Sequence, residues 1–97
     1  MARIIWGTVN QDGKVLNGSG DFSVEHTDTG KYAISFNPGF PSLPGVVATQ
    51  NNYGDTAQSN MDGVAVPFVN NNYCQINTGD NAKNFRNRSF AFIAIGN

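Results

Sequence analysis

The chain has 97 residues, with six Lys and Arg against seven Asp and Glu, 11 Gly, 4 Pro and a single Cys. This length makes one domain, spanning residues 1–97, with one modest core, and a formal charge of −1 supplies no basic stripe for a nucleic-acid backbone. No apolar run nears the ~20 residues of a membrane-spanning helix, and one cysteine cannot close an internal disulfide.

In chain order, every periodic segment alternates at period two, and no window of about eleven residues carries a helical stripe. Arg3–Val9, "RIIWGTV", reads as a strand apolar on both faces. Its apolar run ends after Trp6, too soon for a signal peptide. "NQDG" (10–13) is a turn, "KVL" a short return and "NGSGD" (17–21) a flexible connection. Phe22–Thr27 and Lys31–Phe36 form the clearest hairpin, with Phe22, Val24, Tyr32, Ile34 and Phe36 inward. Gly30 in the "DTG" connection takes the positive φ of a tight turn. Three prolines in Asn37–Gly45 cannot join a ladder, so this segment crosses between sheets.

Gly45–Gln50 is the next strand, and Asn51–Asp62 the longest irregular loop. Gly63–Val69 follows, with Val64, Val66 and Phe68 on one face and Pro67 marking an edge or a bulge. Asn70–Asn72 fits a hairpin turn, because Asn tolerates the left-handed region. Tyr73–Thr78 returns with Cys74 and Ile76 on one face, and Cys74 reads as a small buried hydrophobe. Gly79–Arg88 is a second long loop. Ser89–Ile95 closes the chain, with Phe90, Phe92 and Ala94 on one face and Ala91, Ile93 and Ile95 on the other. Six or seven short strands in this pattern predict an all-β fold, a small antiparallel β-sandwich. A sandwich strand needs one apolar face, so the second face of Ser89–Ile95 predicts burial between subunits of a homo-oligomer, the other reading being a central strand covered by a loop.

Two stretches, "AISFNPGFPSLPGVVAT" and "NYCQINTGDN…SFAFIAIG", resemble the pattern of H-type lectins over roughly Tyr32 to Gly96. The earlier "GSGDFSVEHTDTGKYAISF" is similar to small domains of phage tail fibres and bacterial surface proteins. The lectin resemblance implies a six-stranded sandwich that assembles as a trimer and binds galactose-type sugars in clefts between subunits. It does not carry the family's sugar residues across. "TGDNAKN" stands where the family often has an aromatic ring and a histidine, and Asp62 stands near the family's arginine.

Chemistry-bearing residues are sparse. His26 and Glu25 are strand neighbours and point to opposite faces, so they form no dyad, and Cys74 has no base beside it. The chain is therefore expected to be no enzyme and to need no cofactor. "NQDG", "NMDG" and "TGDN" fall short of the roughly six to eight oxygens of a calcium site, and zinc lacks its ligands, so no metal is expected. The sequons at Asn17 and Asn87 read as chance matches. Lys83, Arg86 and Arg88 surround Phe85, but no groove of charge continues from them.

A neutral carbohydrate fits the composition best. Sugars need planar amides and short carboxylates for their hydroxyls, and an aromatic ring for their apolar face. The candidate ligand-binding residues are Asn51, Asn52, Tyr53, Asp55 and Asp62 in one loop and Asp80, Asn81, Asn84 and Arg86 in the other. The expected function is a lectin-like module binding a cell-surface glycan, with no nucleic-acid partner and no membrane insertion. The alternative is a trimeric structural or receptor-binding module of a phage fibre or surface appendage.

Overall fold

The computed structural model describes residues 2–97. It holds eight strands: β1 (Arg3–Val9), β2 (Val15–Gly18), β3 (Phe22–Asp28), β4 (Lys31–Phe36), β5 (Gly45–Gln50), β6 (Val64–Val69), β7 (Tyr73–Thr78) and β8 (Phe90–Gly96). They form two four-stranded sheets, ordered β2-β1-β8-β5 and β3-β4-β7-β6, and every pairing is antiparallel. The architecture is the expected all-β sandwich, with eight strands rather than six or seven. The additional strand is β2. The short return "KVL" continues through Asn17 and Gly18, paired to Thr8 and Gly7 of β1.

The core is where the two inner faces meet. Ile5 and Val9 of β1, and Phe90, Phe92 and Ala94 of β8, face Phe22, Tyr32, Ile34, Phe36, Cys74 and Ile76 of the other sheet. The large apolar side chains among them contribute about 1.5–3 kcal/mol each on burial. Aromatic contacts join the sheets: Phe22 meets Phe92 edge-to-face at 5.0 Å, and Tyr32 meets Phe90 at 5.0 Å. A side chain at Gly7 would collide with the Phe22 ring, so the glycine makes room for an aromatic that spans the layers. The proline-rich 37–44 segment crosses from β4 to β5, as expected, and Phe40 plugs the core from it, ring to ring with Phe36 at 5.2 Å.

Asn70–Asn72 does form the β6–β7 turn. The Asn70 side-chain oxygen accepts from the N–H groups of Asn72 and Tyr73 at 2.8 and 2.9 Å, which fixes the reversal. One facing differs from the sequence expectation. Val64 and Val66 turn inward, but Phe68 is exposed. The register shifts between Ala65 and Phe68, so three β6 steps oppose two on β7. Pro67 sits in this bulge, where a missing N–H costs no ladder bond. Phe68 lands opposite Gln75 on the outer face, and Val69 takes the inner place opposite Cys74.

Two outer faces result. On the first sheet, Ile4, Trp6, Val47, Ile93 and Ile95 are exposed side by side, because Val47, Ile93 and Trp6 are cross-strand partners and so are Ile95 and Ile4. The ends of the sandwich also differ. Arg3 pairs with Gly96 at one end, while Val9, Gln50 and Phe90 meet at the other. Both long loops, 51–63 and 79–89, leave from this second end.

Candidate functional site

The loop end is built around Gln50, the last residue of β5. Its side-chain NH2 donates to the carbonyls of Gly63 and Gly79, which close one long loop and open the other. Its Oε1 accepts from Gln58 Nε2 at 3.0 Å. Arg88 reinforces the junction by pairing with Asp62 at 3.0 Å. The space directly between the loops is thus filled by protein. Two clefts that share no lining residue lie beside the junction, and a third hollow, with Ser59, Asn60 and Asp62 in its wall, shares Gln50 and Gln58 with one of them.

One cleft, of about 250 Å³, is lined almost wholly by amides. Gln11 comes from the β1–β2 turn, Gln50, Asn52 and Gln58 from β5 and its loop, and Asn87, Arg88 and Ser89 from the approach to β8. Asn87 is fixed from behind. Its Oδ1 accepts the Gly30 N–H at 2.7 Å, so the amide is oriented by a backbone donor. The same oxygen lies 2.8 Å from His26 Nε2, which must therefore carry the proton. His26 in turn stacks on Tyr32 at 4.7 Å, so its ring is a positioned donor. The Asn87 NH2 is left to serve an acceptor in the cleft. The Tyr32 hydroxyl donates to the Gln11 carbonyl at 2.6 Å and ties that turn to the cleft wall.

The sequence-nominated residues divide sharply. Asn52 lies in the amide cleft, and Tyr53 beside it is 57% exposed. Asn51 is adjacent through backbone bonds: its N–H donates to the Ser89 carbonyl, and its carbonyl accepts from Ser89 Oγ at 2.7 Å. The carboxylates are occupied elsewhere. Asp55 accepts from the Ala57 N–H and from Asn52 Nδ2 and shapes its own turn. Asp62 is held by Arg88. Asp80 accepts the N–H groups of Asn84 and Ala82 through one oxygen, and Asn84 Nδ2 and Arg86 Nε through the other. These donors, the Asn84 and Ala82 N–H groups foremost, hold its carboxyl well below the ordinary carboxylate range. Asp80, Asn84 and Arg86 are thus one self-contained knot, exposed Asn81 lies at its rim, and Asp80 and Asn84 line the second cleft rather than the first.

Sequence reasoning did not find Gln11, Gln50, Gln58, Asn87, Arg88 or Ser89 as cleft residues. Three separate chain segments bring them together, and no local spacing announces that. No family model, curated protein or solved structure matches the chain. The likeness to H-type lectins therefore rests on the residues quoted above.

Proposed function

We propose that this chain is a non-catalytic, lectin-like module that takes a neutral carbohydrate of a cell-surface glycan in the amide-lined cleft. The observation that carries this reading is the lining itself: side-chain amides, a serine hydroxyl and one paired arginine. Amides offer a donor and an acceptor in one plane, and although Gln50 and Gln58 are spent on each other and on backbone groups, the Gln11 amide, the Asn87 NH2 and the Asn52 Oδ1 are left to meet hydroxyls, with no net charge to attract an ion once Arg88 is paired. Tyr53, next to Asn52 and open to solvent, supplies a ring for the apolar face of a sugar.

Each neutral hydrogen bond nets only about 0.5–1.5 kcal/mol, so one cleft binds weakly, near millimolar. Useful strength then comes from several clefts acting together. The exposed apolar face of Ile4, Trp6, Val47, Ile93 and Ile95 supports such an assembly, a homo-oligomer that we take to be a trimer. The same face favours the second reading, a trimeric structural module of a phage fibre or surface appendage with no small ligand.

A glycan array separates the two. Wild-type protein is expected to bind neutral glycans, and Gln11→Ala and Tyr53→Ala each to weaken that binding by about 2- to 10-fold without unfolding the chain. An array on which the wild type binds nothing overturns the carbohydrate reading and leaves the structural module.

A further inference from the structure

The outer faces of the two sheets have different chemistry. The β1–β8–β5 face is apolar, with the Trp6 indole among aliphatic side chains and no exposed amide cluster. On the other sheet, alternation along β7 turns Tyr73, Gln75 and Asn77 outward. Tyr73 and Phe68 are 41% and 44% exposed, with their rings 5.1 Å apart and inclined by 34°. The bulge at Pro67 is what delivers Phe68 to this face, opposite Gln75. Along the strand, Gln75 Nε2 donates to Asn77 Oδ1 at 2.8 Å, so the two amides form a fixed ladder. Asn77 keeps its NH2 and Gln75 its carbonyl oxygen for an outside partner.

The face does not stop at Asn77. Beside it opens the second cleft, of about 290 Å³, floored by Ala65 and Asn77 and walled by Phe85. Phe85 is 51% exposed, and the Lys31 ammonium sits 5.0 Å from its ring centroid, which steadies the ring. On the neighbouring strand, Ala33 and Ser35 lie opposite Gln75 and Tyr73 and leave a low floor. Rings therefore stand at both ends of a shallow trough, with amides between them. From Tyr73 to Asn77 alone the trough runs about 13 Å.

We propose that this trough along β7 is a second binding site, for an extended neutral polysaccharide chain lying across the sheet. The arrangement decides the class of ligand. Flat rings offer stacking surfaces. The amides between them present unfilled donors and acceptors at an exposed surface, which a second protein would have to desolvate. The charges at its border are Lys31, Lys83 and Glu25, with Asp80 already paired to Arg86, so a net of one positive charge remains, too little to select a polyanion. The site stands apart from the amide cleft and does not rest on it. It takes the run of a polymer, where the cleft takes a terminal sugar.

The test is native electrophoresis through gels cast with soluble galactomannan, hydroxyethylcellulose or dextran, with heparin as the charged comparator. Wild-type protein is expected to be retarded by at least one of the three neutral polymers. Tyr73→Ala and Phe85→Ala should each reduce that retardation about fivefold or more, and Tyr73→Phe should restore it. Both alanine variants are expected to keep the glycan-array binding of the wild type, so the two sites can fail independently. The proposal is overturned by no retardation in any neutral gel, by retardation in heparin alone, or by alanine variants that migrate as the wild type does. It also falls if Tyr73→Ala breaks an oligomer apart in sedimentation, because the face is then a contact between copies.

Discussion

Cys74 has no solvent exposure, and burial pushes its thiol up to about 12. The thiolate is the reactive form, so a bulky maleimide at pH 8 should label the native protein only at the rate of unfolding. Cys74→Ser sets a hydroxyl among Ile34, Ile76 and their neighbours and should cost about 1–3 kcal/mol in chemical denaturation. Asp80 behaves in the opposite way. Its carboxyl is held below its unfolded value of about 3.9, so the order it confers on residues 80–86 is complete above that pH. As pH falls further, through the depressed folded value, that order is lost. The protection of the Ala82 and Asn84 amides against exchange should hold down to the ordinary carboxylate range and fall only below it; Asp80→Ala should remove that protection wherever the wild-type carboxylate is ionised. Asp80 was legible in the sequence as a functional-looking residue, but its role was not. A carboxylate among glycines and asparagines looks the same whether it waits for a ligand or caps its own loop, and the four donors of this one come from its own loop.

At the scale of elements, alternation was the strongest signal. It placed Tyr32, Ile34, Phe36, Cys74 and Ile76 inward and gave β8 its two apolar faces, because a period of two leaves each side chain no other choice of side. It failed at Phe68, where Pro67 inserts a residue and reverses the facing. It also stopped too early at β2, where Asn17 and Gly18 look like turn residues but pair with β1. The amide cleft was illegible for a different reason: it is a meeting of elements distant in sequence. Gly30 shows how tightly they meet. It lies at φ +69° in the β3–β4 connection, and a side chain there would strike the Thr78 carbonyl and the Arg86 backbone. The left-handed conformation alone costs an alanine about 1–2 kcal/mol. Gly30→Ala should therefore destabilise the domain by at least about 2 kcal/mol in urea titration, and should disturb Asn87, whose Oδ1 the Gly30 N–H holds.

For the whole molecule, the apolar sheet face predicts self-association. Sedimentation at micromolar concentration should show a species heavier than the 10.4 kDa chain. Ile93→Glu, placed at the centre of that face between Trp6 and Val47, should return it to the monomer with its circular dichroism unchanged. A wild-type monomer would leave the face without the role assigned to it. The pairing of Arg3 with Gly96 has its own consequence. Antiparallel partners lie only about 5 Å apart, so Arg3 and Gly96, the outermost residues of β1 and β8, are side by side, a sandwich length away from both amide-bearing loops. A tether fixed to either end would hold the domain like a torch by its handle, with the cleft pointing outward. The ends could equally be joined by a short linker and the chain reopened elsewhere. Such a circular permutant, opened at the exposed Gly54 of the 51–63 loop, would keep every strand pairing while moving the point of attachment from the handle to the lamp.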